Sequence, residues 1–204
     1  MAENLSDVSA VDALMKRGKT TMNSKWTDCV PDYASEYSLT AEHIPALIEA
    51  ATNWVESSSD DPEVYGQVHA WRALGQMRAV EAVQPLLDVQ DELDELQDDW
   101  YLEEFHHVFG LIGPPAIDQL AAFLADDRHG EFPRLNASSG VVEIARRFPE
   151  TRVPVIDILT AELGRPEGDG EFNGHLISNL LDLDAIEAAE HIERAFAANV
   201  VDPT

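Results

Sequence analysis

Apolar residues recur along this chain at a helical spacing, and the spacing itself repeats. Five segments begin with an apolar residue that is followed by further apolar residues three and six positions later. These opening residues are Ile44, Val80, Ile117, Val153 and Ile186, which lie 36, 37, 36 and 33 residues apart. A nearly constant period in this range is typical of stacked helical repeats. The pattern predicts an all-α protein in which each opening residue begins the second helix of a helical hairpin and the repeated apolar positions form the core.

Apolar pairs upstream of the opening residues predict the first helix of each hairpin. In the last three repeats the residues nine and five positions upstream are apolar and share one helix face. These pairs are Val108 and Ile112, Ile144 and Phe148, and Ile177 and Leu181. In the Val80 repeat the pair is Ala73 and Met77, because the turn is shorter. Pro62 and Pro114 indicate helix starts, since a missing N–H is tolerated in a first turn.

The N-terminal part of the chain lacks this period. Residues 6–17 can form a short helix that ends at Gly18, whereas residues 20–37 mix polar, aromatic and proline residues. We therefore expect residues 1–38 to form a short helix and an irregular arm, and residues 39–204 to form the repeat domain. The Ile44 repeat, whose first helix would have to come from the arm, is expected to cap the repeats.

Two segments carry a fuller version of the repeat, residues 73–83 (ALGQMRAVEAV) and residues 108–117 (VFGLIGPPAI). They resemble HEAT-like repeats of the type found in phycobilisome lyases, and the last two repeats keep the spacing without the glycines. The resemblance covers about residues 62–200 and implies an α-solenoid of about four HEAT-like hairpins. This repeat type is specific for a fold and occurs in many proteins that are not enzymes.

Composition limits the possible partners. The chain has 204 residues, of which 45% are hydrophobic, so it can bury a sizeable core. It carries 13 basic and 39 acidic residues, a formal net charge of −26. Such a surface disfavours nucleic-acid phosphates and anionic membranes as partners. The chain shows neither a signal-type N-terminus nor a run of about 20 apolar residues, so we expect a cytoplasmic protein.

The densest acidic stretch, residues 88–104, holds nine acids and no base, and we call it the acidic segment. One interpretation is a solvated helix face with Leu93, Leu96 and Trp100 turned inward. The other is a docking surface for a cationic partner, with aromatic residues as anchors. The candidate partner-binding residues in this segment are Asp91, Asp94, Glu95, Asp98, Asp99, Trp100 and Tyr101.

Three further acids directly follow an opening residue. These candidates are Glu81, Asp118 and Glu187, which would edge a groove lined by the second helices. A different origin of the acidity is also open, because an excess of acids with few lysines keeps proteins soluble in concentrated salt. Acids spread evenly over the surface would favour that origin over a binding surface.

Other candidate chemistry is sparse. Cys29 is the only cysteine, which excludes an intramolecular disulfide, and it is expected to be a buried structural thiol. Glu103, His106 and His107 could share a helix face in metal-ligand spacing, but two or three such residues do not define a site. HEAT-like deoxyhypusine hydroxylases hold iron with His-Glu dipeptides, and this chain contains none. The sequence therefore predicts no metal or cofactor.

We conclude from the sequence that the chain is a non-catalytic, protein-binding scaffold that engages a basic protein or peptide through an acidic surface. The alternative is an enzyme on the same scaffold. It would be a chromophore lyase, which the repeat resemblance implies, or a metal-dependent hydroxylase.

Overall fold

The computed structural model describes residues 5–21, 31–53, 62–165 and 170–201, and within these ranges the chain is all-helical without strands. The predicted all-α class is confirmed. The α-helices are α1 (Leu5–Met15), α2 (Tyr33–Glu36), α3 (Ile44–Thr52), α4 (Gly66–Gln76), α5 (Val83–Asp88), α6 (Gln90–Glu95), α7 (Asp99–Ile112), α8 (Ile117–Leu124), α9 (Glu131–Arg147), α10 (Arg152–Leu163), α11 (Gly170–Asp182) and α12 (Ala189–Ala197).

Each of the five sequence repeats contains a 3-10 turn that leads into an α-helix. The turns are Ala41–His43, Val80–Ala82, Pro114–Ala116, Pro149–Thr151 and Ile186–Ala188, and they precede α3, α5, α8, α10 and α12. A further 3-10 turn begins at Pro62, before α4. The predicted helix starts at Pro62 and Pro114 therefore coincide with the starts of 3-10 turns. The periodicity in sequence corresponds to a recurring local structure.

Helices pack in chain order. Helix α4 contacts α7, α7 contacts α9, and α9 contacts α11. The helices that follow the 3-10 turns form a second row, in which α3 contacts α5, α5 contacts α8, α8 contacts α10, and α10 contacts α12. At the N-terminus, α1 and α2 both pack against α4. Gly18, after α1, has a φ of +90°, in the left-handed region that the predicted C-terminal cap requires.

The core follows the centre of the first four apolar stripes. The residues three positions after the first four openers are at most 3% exposed; they are Leu47, Val83, Leu120 and Ile156. The expectation that all repeated apolar positions are core is wrong for Val153, Leu181 and Ile186, which are 60%, 65% and 85% exposed, and for the exposed Ala189. Ile186 lies in a 3-10 turn and Val153 in the first turn of α10, so neither lies in the middle of its helix.

Two glycines of the fuller repeat permit close packing. A Cβ on Gly110 of α7 would lie 2.8 Å from the Cβ of Glu143 on α9. Gly113 has a φ of +91°, and a Cβ there would lie 2.8 Å from the ring of Phe148. Close helix approach and a left-handed turn explain why glycine stands at these positions.

A buried ion pair joins α4 to α7. Arg72 and Glu104 are 2% and 1% exposed, and the guanidinium donates two hydrogen bonds to the carboxylate, including one of 2.8 Å from Nε to Oε2. Arg72 also donates to the hydroxyl of Thr20 at 2.7 Å and to the carbonyl of Thr21 at 3.0 Å. The pair therefore holds the segment after α1 against the two helices.

Further hydrogen bonds connect the segments before and after residues 22–30 to α4. Nε2 of His69 donates to the carbonyl of Gly18 at 2.8 Å, so Nδ1 accepts the hydrogen bond of 2.8 Å from the Tyr33 hydroxyl. Gln76 accepts from the backbone N–H of Tyr33 and donates to the carbonyl of Pro31. Backbone groups on both sides of residues 22–30, which lie outside the described ranges, are thus bound to α4.

Removing one partner of the buried pair should cost far more than removing both. We expect Glu104→Gln to lower the free energy of unfolding by about 3–5 kcal/mol, because Arg72 would keep an uncompensated buried charge. The double variant Arg72→Met with Glu104→Met should be less destabilised, and Arg128→Met, which breaks an exposed pair, should have little effect on stability. Urea unfolding measures these values; a double variant less stable than Glu104→Gln would contradict the argument.

Candidate functional site

The acidic segment forms the end of α5, all of α6 and the beginning of α7. Leu93 is buried, as expected for an inward-facing residue of α6. The expectation for Leu96 is wrong, since its side chain is 58% exposed. Leu96 is the C-terminal cap of α6 and keeps helical φ and ψ, and it is exposed because no other element that the structure describes covers the end of this helix.

Several candidate acids accept hydrogen bonds within the protein. Asp98 caps α7, where its Oδ1 accepts from the backbone N–H groups of Trp100 at 2.8 Å and Tyr101 at 3.2 Å. Asp91 accepts from the N–H of Gly130 at 2.8 Å and lies 2.6 Å from Nδ1 of His129. These two aspartates therefore hold the start of α7 and the start of α9.

Tyr101 lies inside the protein. Its ring is fully buried, and its hydroxyl donates to Oδ1 of Asp94 at 2.8 Å. Burial, together with this hydrogen bond and the nearby carboxylates, raises the pKa of Tyr101. Tyr101 thus offers no ring surface to a partner. The carboxylate of Asp94 serves as the hydrogen-bond acceptor of the buried Tyr101 hydroxyl.

The other candidate acids lie on the surface. Within the segment, Glu95 and Asp99 are exposed, and so are Asp88, Glu92 and Glu103. Glu81, Asp118 and Glu187 are exposed as well, each in a different repeat. Glu187 forms an ion pair with Arg152 at 2.6 Å, which holds the pKa of Glu187 below its usual value.

Trp100 lines a pocket that the segment alone does not predict. Its ring packs edge-on against Tyr65, with centroids 5.8 Å apart and an interplanar angle of 79°. Trp71 and Asp98 line the same pocket, which encloses about 250 Å³. We call this the aromatic pocket. Sequence reasoning missed Tyr65 and Trp71, because they come from the preceding repeat and no local pattern links them to Trp100.

The carboxylate of Asp98 is electrostatically unbalanced. Burial raises the pKa of Asp98, and the charge of Asp99 acts in the same direction, against the lowering effect of the two backbone N–H groups. No ion pair to Asp98 occurs among the described residues. The aromatic pocket therefore combines ring faces with a carboxylate that lacks a cationic partner there.

A second cleft, of about 380 Å³, lies between α7, α9 and α11. Oγ of Ser139 is 3.1 Å from Nε2 of His175, and His106 donates from Nδ1 to the carbonyl of Leu102. Burial, with His107 nearby, lowers the pKa of His106 to about 4. Ser139 lies inside the continuous helix α9, whose backbone N–H groups are used within the helix, so they do not provide an oxyanion hole.

The predicted metal-ligand spacing of Glu103, His106 and His107 does not assemble a site. Glu103 is exposed, and Nδ1 of His107 lies 3.6 Å from Glu143 on α9. Within the ranges that the structure describes, no group of three His, Cys, Asp or Glu side chains is arranged to hold a metal ion. Cys29 lies outside those ranges.

Comparison with known proteins adds no relative. No protein-family model matches the chain, and no curated protein or solved structure is significantly similar to it. None of the helices in the described part of the chain is long and apolar enough to cross a membrane. The fold and the pocket define an all-helical protein with an acidic, aromatic candidate site.

The cap of α7 yields a test of Asp98. We expect Asp98→Ala to lower the free energy of unfolding by about 1 kcal/mol, because two backbone N–H groups lose their acceptor. Asp98→Asn should change it by only a few tenths of a kcal/mol, since asparagine caps helices about as well as aspartate. Urea unfolding of both variants provides the comparison. Equal destabilisation by the two substitutions would contradict the capping role.

The histidine cleft predicts acid sensitivity. Burial lowers the pKa of His106, so the unfolded chain binds its proton more readily than the folded protein. The contribution of the neutral His106 to the free energy of unfolding should be fully present above a pH of about 6.5. It should be lost as the pH is lowered towards about 4. We expect His106→Gln to remove about 2 kcal/mol of the difference between pH 7 and pH 4.5. Urea unfolding at both values tests this.

The matched control for this test is His191→Gln. His191 is exposed on α12, so its replacement should leave the pH dependence of unfolding unchanged. The neighbouring groups that act electrostatically on His106 are His107, Glu143 and Arg146, and they remain in place in both variants. An equal change of slope in the two variants would contradict the assignment to His106.

Proposed function

We propose that this protein is a non-catalytic scaffold, an α-solenoid of about four HEAT-like hairpins, that binds a basic protein or peptide through the acidic segment. The observation that carries the proposal is the exposed, base-free acidic surface beside the half-buried ring of Trp100. Exposed carboxylates in this segment are Asp88, Glu92, Glu95, Asp99 and Glu103.

The distribution of arginines supports a localised acidic surface over an even coat. No lysine or arginine occurs between Arg78 and Arg128, which includes the whole acidic segment. Later in the chain, arginines are paired with acids, as in Arg134 with Glu162 at 2.7 Å. Negative charge is thus partly paired with arginines in the second half, whereas the sequence around α6 and the start of α7 holds no lysine or arginine. Such a potential speeds the encounter with a cationic partner and orients it.

The order of helix contacts supports the proposed architecture. Contacts run in chain order through one row of helices, from α4 to α7, α9 and α11. The helices after the 3-10 turns form a second row with the same order of contacts. A solenoid requires this nearest-neighbour pattern, because each repeat buries its apolar stripe only against adjacent repeats. The HEAT-like identification rests on this pattern and on the glycine-containing repeats.

Neutralising the segment should weaken binding of a basic probe more than neutralising acids elsewhere. The segment variant is Glu92→Gln, Glu95→Gln, Asp99→Asn and Glu103→Gln. The control variant is Glu150→Gln, Asp157→Asn, Glu190→Gln and Glu193→Gln, at exposed positions outside the segment. Each variant changes the formal charge equally, from −26 to −26 + 4 = −22. The probe is a blocked decapeptide of alternating lysine and glycine.

We expect the segment variant to bind the decapeptide about tenfold more weakly than the natural protein and the control variant less than about threefold. Binding should also weaken between about 50 mM and 300 mM salt, because exposed charges are screened. Fluorescence anisotropy of the labelled peptide measures both effects. Equal losses in the two variants would indicate a uniform acidic coat and contradict the proposal.

A further inference from the structure

The aromatic rings that line the aromatic pocket are held in place by their packing. Trp71 is 1% exposed, its Nε1 donates to the carbonyl of Ala51 at 2.8 Å, and its ring packs on Phe105 at 4.8 Å. Tyr65 and Trp100 are half-buried and meet at 79°. The rings come from the turn before α4, from α4 itself and from α7. Aromatic faces carry negative electrostatic potential, so a pocket lined by several of them favours a cation.

One oxygen of Asp98 is available to such a cation. Oδ1 is occupied by the N–H groups of Trp100 and Tyr101, whereas Oδ2 accepts no hydrogen bond from any residue that the structure describes. The neighbouring charges in sequence, Asp94 and Asp99, are also negative. The pocket therefore combines a carboxylate oxygen with aromatic faces. A cation that binds there has to come from a partner, because the neighbouring residues in this part of the chain supply none.

The geometry distinguishes between the two common cations of proteins. A guanidinium binds best to both oxygens of a carboxylate in a planar fork, but Oδ1 of Asp98 is already occupied. An ammonium group is a compact point charge that needs only one oxygen, and its alkyl stem packs on aromatic rings. A volume of about 250 Å³ suits one side chain and is below the range of drug-sized ligand sites.

We infer that the aromatic pocket binds an alkylammonium group, the lysine side chain of the basic partner, beside the rings of Tyr65 and Trp100 and against Asp98. This inference rests on the proposed function and deepens it, because it places one anchoring contact within the acidic surface. The exposed acids attract the partner, and the pocket selects lysine over arginine. Burial and like charge around Asp98 make a cation favourable there, since its charge would stabilise the ionised carboxylate.

The direct test uses small probes and the full chain. We titrate n-butylammonium, n-propylguanidinium and the neutral n-pentanol while observing the indole N–H signal of Trp100 by NMR. Butylammonium should give saturable shifts with a Kd in the millimolar range, about threefold or more tighter than propylguanidinium. Pentanol should give no comparable binding. Equal binding of pentanol and butylammonium would overturn the inference, because the pocket would then recognise only apolar surface.

Matched variants separate the pocket from general electrostatics. Asp98→Asn removes the charge and retains the cap, while Asp99→Asn removes the neighbouring exposed charge. We expect the first to weaken butylammonium binding about fivefold or more and the second less than about twofold. Trp100→Leu should also weaken butylammonium binding about fivefold, as measured on the Tyr65 ring protons. The control Phe132→Leu, which replaces an exposed ring of the second cleft, should leave this binding unchanged. Equal effects of Asp98→Asn and Asp99→Asn would overturn the inference.

The decapeptide distinguishes this inference from the proposed function. If the peptide binds with the expected dependence on the segment but is unaffected by Asp98→Asn and Trp100→Leu, the pocket assignment is overturned and the proposed function stands. If butylammonium binds in the pocket and the decapeptide does not bind the protein, the proposed function is overturned while the ammonium site stands. Loss of peptide binding in both pocket variants, with retention in Asp99→Asn, supports both.

Discussion

The helices that follow the 3-10 turns in the middle of the described chain, α5, α8 and α10, have apolar stripes that only neighbouring helices cover. At the stripe centre, Val83, Leu120 and Ile156 are at most 3% exposed. Burying such a side chain contributes roughly 1.5–3 kcal/mol, whereas helices of six to twelve residues are marginal in water by themselves. These short helices therefore depend on mutual packing. The same packing brings α7 close to α9, and Gly110 provides the space.

Polar contacts order the N-terminal part in a different way. The ion pair of Arg72 and Glu104 is almost fully buried, and a buried charge has to be matched by charge and hydrogen bonds. The remaining donors of Arg72 bind Thr20 and Thr21, and His69 binds the carbonyl of Gly18. Residues 18–21, which lack an apolar period, are thus held against α4 because they supply hydrogen-bond acceptors to the buried Arg72 and His69.

Three aspartates of the acidic segment accept from neutral donors, whereas Glu104 is paired with Arg72. Asp98 accepts from two backbone N–H groups, Asp94 from the Tyr101 hydroxyl, and Asp91 from the N–H of Gly130. Neutral donors hold a carboxylate in place without removing its charge. The fold around α6 and α7 is therefore compatible with a strongly negative surface, and the aromatic pocket lies within it.

Local sequence was sufficient for the helical class, for the centre of the first four apolar stripes and for the start of the 3-10 turns at Pro62 and Pro114. Those features follow from the 3.6-residue helical period and from the missing N–H of proline, which act within a few residues. Only the tertiary structure decided that Leu96 and Ile186 are exposed, that Asp91 accepts from the N–H of Gly130 before α9, and that Tyr65 meets Trp100. These features depend on how whole helices pack, which a local pattern of apolar and polar residues does not encode.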